Sequence, residues 1–328
     1  INSKCVCPFS PNSFKSILLS IFLFLSTASF SQRGINSRPY WSTHILLSSS
    51  TFLSDLGGND FHGSNDPSDI DFRQIRYAFG SGIQYNLPKG LSIGLDAFYT
   101  RLAADDAETN WNRKYRKLKV RTDIIETSIK LEYTVPQYRG ALSGFYANAG
   151  TGLCFYRPMN ELNGVWYKLR PLGTQGQFAD PSQSPYDYYS LVIPFGFGKK
   201  FPLKNGMTLA LDILLRKTFT DYLDDVSGVY YDAKLIEETN GELAAYFSNP
   251  SVVEPTDGIV LGEPGTIRGN SENNDNYFLF GFKLYIPLNG NMGNPNTRCS
   301  YNNGWIKSNG SIPKIHRRGK KKRIRLFK

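Results

Sequence analysis

The chain's most concentrated chemistry is carboxylate. Asp221, Asp224 and Asp225 fall in the stretch TFTDYLDDVS at 218 to 227, and Asp55 falls in a second short stretch, TFLSDLGGND at 51 to 60. Brought together, such oxygens suit a hard divalent cation or a basic patch on a partner. They equally suit turn capping, because Asp bonds its own backbone in turns, and no full calcium-loop spacing is present. Nucleophilic catalysis needs a base and a nucleophile placed together. The histidines offer little of that: His44 and His62 are the two in the central body, and a structural role is expected for each. Cys5 and Cys7 lie near the start, and Cys154 and Cys299 are isolated, so neither a disulfide framework nor a zinc site is predicted. The chain is therefore expected to be non-enzymatic, with no catalytic residue, metal or cofactor.

A second concentration is cationic. Nine Lys or Arg fall in the last fifteen residues, among them Arg317, Arg318, Lys320, Lys321, Lys322, Arg323 and Arg325. The formal net charge of +10 is mostly this tail plus Lys4 and Lys15, and everything between sums to about −1. A nearly neutral body argues against nucleic acid as the partner. The tail is expected to meet the anionic surface of another protein, a lipid headgroup or a cell-wall polymer, with strongly salt-dependent binding.

The elements that must position these groups are strands. From Met207 to Leu215 the apolar residues alternate (Met207, Leu209, Leu211, Ile213, Leu215) with Thr208, Ala210, Asp212, Leu214 and Arg216, the period of a strand with one greasy face. Continued for fifteen residues to Asp221, this strand would span roughly 50 Å, enough for a tilted membrane crossing with an extension beyond it. The same alternation marks strands at about 40 to 54, 71 to 85, 91 to 102, 122 to 135, 143 to 157, 188 to 199 and 277 to 288. Eight strands result. Asn86-Leu87-Pro88-Lys89-Gly90 reads as a tight turn, 158 to 187 as a long Pro- and Gly-rich connection, and a short helix is expected around 234 to 247.

The connections alternate long, short, long, short, long, short, long, the asymmetry of an outer-membrane barrel with tight periplasmic turns and extended external loops. No uninterrupted apolar run of membrane-helix length lies beyond residue 31. The predicted fold is all-β: an eight-stranded antiparallel transmembrane barrel. Periodicity alone does not separate it from a soluble barrel with its apolar parity inside. In the membrane reading, Asp96, Glu126, Lys130, Glu132, Asp212, Arg216 and Lys283 share the inward parity. A lumen of eight strands is just wide enough for side chains to fill, so these charges are expected to pair as a plug. Cys154 also takes that parity, as a small filler.

The expected organisation is an upstream extension and signal peptide at 1 to 31, the barrel at 32 to 288, a linker at 289 to 310 and the basic tail at 311 to 328. Lys15 before ILLSIFLFL, with Ser29 and Ser31 preceding Gln32, gives the signal its charged, apolar and small-residue regions. With both termini periplasmic, the ends of the first and seventh strands meet at the external rim, and Asp55 joins Asp221, Asp224 and Asp225 there.

TFTDYLDDVS and TFLSDLGGND also resemble the Bacteroidota outer-membrane β-barrel family that includes PorG, a barrel associated with type IX secretion. The likeness covers about 40 to 288 in architecture and is specific only in those two motifs. It implies an integral outer-membrane protein that contacts lipid and the periplasmic ring of the secretion machinery. Its expected role is that of a non-enzymatic anchor or scaffold, as opposed to a lipid-modifying enzyme or a small-solute channel.

Overall fold

A computed structural model describes residues 39–54, 56, 72–108, 112–136, 140–203, 206–255 and 257–288. The expected leader, Asp55, His62, Cys299 and the basic tail lie outside these residues. Nine strands form among the described residues: β1 Tyr40–Leu53, β2 Arg76–Asn86, β3 Leu91–Asp105, β4 Lys119–Thr134, β5 Phe145–Leu162, β6 Val165–Lys168, β7 Tyr189–Pro202, β8 Thr208–Thr218 and β9 Asn276–Pro287. Eight of them close into an antiparallel barrel. The order runs β4-β3-β2-β1-β9-β8-β7-β5, and β4 pairs back onto β5. β9 therefore lies between β1 and β8, and closure leaves none of these eight strands as a free edge, while β6 extends from β5 as a short outer strand.

Closure settles the question that periodicity left open. The apolar parity points outward: Leu47, Phe79, Leu95, Ile129, Leu131, Leu191, Phe197 and Phe282 are each more than half exposed. Such a belt around a whole barrel is a surface for lipid, since water-facing proteins rarely expose contiguous apolar area of that extent. Aromatic rings flank the belt. Trp41 packs on Tyr85 at 4.8 Å between centroids near the short-turn end, and Phe79 packs on Tyr99 at 5.3 Å, with Tyr77 beside them, towards the other. Amphipathic rings at these levels match the two girdles of a membrane barrel. No helix among the described residues is long and apolar enough to cross a membrane.

The short connections are tight turns. Between β2 and β3, Pro88 fixes one φ, while Lys89 (φ 67) and Gly90 (φ 89) take left-handed conformations. A Cβ on Gly90 would lie 2.1 Å from the Thr134 carbonyl oxygen, so this turn needs glycine for space as well as for φ.

The long connections differ from expectation in three places. β8 ends at Thr218 and does not run on to Asp221. There Thr218 Oγ1 donates to the Asp275 carbonyl and Asp275 N donates to the Thr220 carbonyl, so the backbone leaves the ladder and turns over the barrel mouth. β5 continues past Arg157 to Leu162 and folds back as the β6 hairpin, inside the stretch expected to be irregular. Its turn is Asn163-Gly164, with φ of 53 and 80, the left-handed pair that a two-residue hairpin demands. Finally, the single helix expected near 234 to 247 is two, α1 Ala233–Asn240 and α2 Glu242–Ser248, followed by a turn of helix, α3 Pro250–Val253. Gly241 at φ 87 breaks the run, and Asp232 caps α1 by accepting from Lys234 N at 2.9 Å.

Candidate functional site

The barrel interior is built from the other parity of the same strands, and it is full. Asp96, Glu126, Lys130, Glu132, Asp212, Arg216 and Lys283 all point inward and are buried. Each has a partner inside the lumen: Lys130 with Asp96 and Lys283 with Asp212 at 2.8 Å on adjacent strands, and Arg216 with Glu126 at 3.0 Å across the lumen. Glu132 pairs with Lys200, a cation at the end of β7 that lies one residue beyond the strand read from sequence. The result is four carboxylates against four cations. Buried charge is tolerated only when paired in this way, because an unpaired ion would bear its full desolvation cost.

Tyrosines complete the pairs. Tyr277 Oη donates to Glu126 Oε2 and Tyr285 Oη donates to Glu132 Oε2 at 3.2 Å. Gln84 Nε2 donates to Glu132 Oε1 at 3.2 Å. The network thus ties β2, β4, β7, β8 and β9 together through the lumen rather than through the sheet.

His44 belongs to this network. Its Nε2 lies 3.3 Å from Asp96 Oδ1, its ring stands 5.1 Å from that of Tyr285, and it is 2 % exposed. Space for the imidazole comes from Gly82 on β2, where a Cβ would fall 2.6 Å from the ring atoms. Cys154 is buried, with its thiol donating to the Ser190 carbonyl at 3.5 Å.

Above the charged layers the wide end is closed by an apolar and tyrosine-rich cap, and here the acidic motif takes its place. Asp225, at φ 60, is buried. Its Oδ1 accepts from Tyr186 Oη at 2.6 Å and its Oδ2 from Thr174 Oγ1 at 2.5 Å. Its carbonyl accepts from Gln175 Nε2 at 2.8 Å and from Arg268 Nη1 at 2.5 Å. Burial pushes the Asp225 carboxyl above the ordinary Asp range, and Arg268, Thr174 and Tyr186 offset this only in part. Burial, and then the neighbouring Asp225, also holds the Tyr186 phenol well above its usual range. Asp224 Oδ1 accepts from Val226 N at 2.8 Å, Leu223 is buried with its carbonyl bonded to Thr122 Oγ1, and Asp221 is buried beside them. Tyr156, Tyr186 and Tyr222 stack under the motif at 6.2 and 4.6 Å.

Asp221, Asp224 and Asp225 are therefore each buried, and the partners of Asp224 and Asp225 come from the cap itself. Among the described residues no group of three or more His, Cys, Asp or Glu side chains is arranged to hold a metal ion. Tyr186, Thr174 and Arg268, which complete the Asp225 site, carry no periodic or motif signal in the sequence.

No family model matches the chain, and no curated protein matches it. Solved outer-membrane barrels are similar in fold. Neisserial surface protein A (NspA) aligns at 7 % identity and TM-score 0.33, covering 76 % of this chain and 99 % of its own. Ail of Yersinia pestis, solved with the heparin analogue sucrose octasulfate, aligns at 6 % and 0.34, covering 76 % and 100 %. OprG from Pseudomonas aeruginosa aligns at 10 % and 0.28, covering 77 % and 99 %. Likeness at this level bears on neither ligand nor partner, and the lipid-facing barrel stands on its own apolar exterior and closed ladder.

Proposed function

We propose that the protein is a non-enzymatic outer-membrane barrel that serves as an anchor or scaffold for type IX protein secretion machinery. The observation that carries the scaffold role is the sealed interior. Four carboxylates pair with four cations inside a lumen bounded by only eight strands, beneath a folded cap. A lumen filled in this way offers surface and not passage. His44 supports the same reading, because a base that is 2 % exposed and packed on Asp96 has no route to a lipid substrate. The link to secretion rests on the likeness of TFTDYLDDVS and TFLSDLGGND to the family that includes PorG.

In this reading both termini are periplasmic, and the tail bearing Arg317, Arg318, Lys320 to Lys322, Arg323 and Arg325 meets an acidic face of the periplasmic ring. Pull-down of the tagged full chain from detergent extracts is expected to recover ring components, with recovery falling as salt is raised. Removing residues 311 to 328 is expected to abolish that recovery while leaving the barrel folded. Equal recovery with and without the tail would remove the tail from the reading, and no ring component in either sample would sink the secretion role.

A further inference from the structure

The barrel wall is not electrically uniform at its wide rim. On β4, β5 and β6 the outward face changes character directly above the lipid belt. Ile125, Phe155 and Tyr189 form one row across β4, β5 and β7, and all are exposed. Two residues further along β5 stands Arg157, and two beyond that Met159, whose register partners are Arg121 on β4 and Lys168 on β6. Two residues of strand rise about 7 Å, so Arg157 lies one step above the belt and Arg121 and Lys168 two steps above it. In a bilayer whose core covers the apolar belt, the headgroups would meet the wall at this level.

These three cations are not committed elsewhere in the way their neighbours are. Asp123, which faces Arg157 across the ladder, gives both its oxygens to Arg101, at 2.7 and 3.3 Å, and accepts from Tyr99 Oη at 2.8 Å. Lys119 is 3.6 Å from Glu161. Arg121 instead lies against an indole, its Cζ 3.8 Å from the Trp166 ring centroid, which holds the guanidinium in place beside Asp123, whose two oxygens are already engaged by Arg101. Arg157 and Lys168 are exposed and make no ion pair among the described residues. Elsewhere the outward positions near the strand ends are less cationic: β1 presents Ser49, β9 presents Asn276 and Phe278, β8 presents the single cation Lys217, and Arg101 on β3 is paired with Asp123. The β6 hairpin is what gathers the cluster, since it brings both Lys168 and Trp166 to the wall.

We propose that Arg121, Arg157 and Lys168 form a binding site for the phosphate groups of a membrane lipid, seated on the outer wall of the barrel above the belt. Arg121 and Lys168 flank Met159 on strands about 10 Å apart, and Arg157 stands diagonal to Arg121 at about 7–8 Å, within reach of long side chains that share one or two phosphates. Arginine's planar fork suits the bidentate contact that phosphate accepts. The acyl chains of the same molecule would lie against Ile125 and Phe155 below. The site depends on the barrel spanning a bilayer and is independent of the secretion role, so failure of either leaves the other standing.

The test uses the purified full chain in zwitterionic detergent, with native mass spectrometry reading retained lipid. The probes are bis-phosphorylated lipid A, its dephosphorylated form and inorganic phosphate. The wild-type chain is expected to retain the bis-phosphorylated lipid and not the dephosphorylated one. Each surface cation near a membrane contributes roughly a fivefold change in affinity, so the triple change R121Q/R157Q/K168Q is expected to weaken retention about a hundredfold. Lys217→Gln, on the far wall, is expected to change it little. Cold and heated gel mobility reports that each variant is folded, and R157Q alone, expected to lose about fivefold, serves if the triple variant is not. Unchanged retention in the folded variants overturns the proposal. So does equal loss with Lys217→Gln, or displacement of the lipid by inorganic phosphate at matched concentration.

Discussion

Glu126→Gln isolates the energetic logic of the lumen in one atom's exchange. In the folded chain Glu126 and Arg216 are fully buried, at 0 % and 1 % side-chain exposure, and Arg216 Nε donates to both carboxylate oxygens at 3.0 Å. Tyr277 Oη donates to Oε2 of the same group. The remaining contacts of the guanidinium are weak: the Leu215 carbonyl at 3.4 Å and the face of Phe98, 5.1 Å from Cζ. Glutamine preserves volume and removes the charge, leaving Arg216 a buried cation with no counter-ion, for which about 3–5 kcal/mol of destabilisation is expected. The informative partner is Glu126→Gln combined with Arg216→Met. Removing both charges together commonly costs little, so the double variant is expected to return to within about 1–2 kcal/mol of the parent. Equilibrium urea titration in detergent, followed by tryptophan fluorescence and by heat-shifted gel mobility, reads both. A single variant less than about 1 kcal/mol below the parent, or a double variant as unstable as the two singles added, would refute the view that paired charge holds this lumen together.

Two further outcomes follow from the same geometry. Gly82→Ala would drive a Cβ to 2.6 Å from the His44 ring and 2.7 Å from the Leu95 carbonyl oxygen. Overpacking of this kind costs about 1–3 kcal/mol; a Gly82→Ala, His44→Ala double variant should recover only the part of the loss due to the ring, leaving the clash with the Leu95 carbonyl, by the same titration. Asp225 makes the cap pH-dependent. Because burial raises its carboxyl above that of an unfolded Asp, the folded cap holds the proton more tightly than the opened one. This stabilisation is complete below the unfolded value, near 4, and is lost as pH rises through the raised folded value. Limited proteolysis of the cap should therefore quicken as pH rises across that window. Asp225→Asn, which keeps a residue tolerant of φ 60 and mimics the protonated acid, should flatten the dependence; an unflattened profile would assign it to other groups.

Much of the architecture is legible along the chain because strand geometry is local. A period of two, the alternation of long and short connections, and the Pro88-Lys89-Gly90 turn all follow from a few adjacent residues. The Asn163-Gly164 hairpin was equally local, yet its turn signal is easily submerged in a Pro- and Gly-rich stretch. The same period that reveals a strand says nothing about which face meets lipid. Only closure, with β9 seated between β1 and β8, turns the apolar parity outward and the charges inward.

Pairing is likewise a property of the closed barrel. Arg216 meets Glu126 across 90 residues and Lys200 meets Glu132 across 68, distances over which sequence carries no register. The clearest case is the acidic motif. Its residue types advertise a cation or partner site, and in the fold Asp225 is instead enclosed by Tyr186, Thr174 and Arg268 from remote segments. Which groups carry charge was determined by the sequence. Which of them face one another, and which are left to face the membrane, was decided by the tertiary structure, because Coulomb and hydrogen-bond energies depend on distances that only the closed sheet and its cap set.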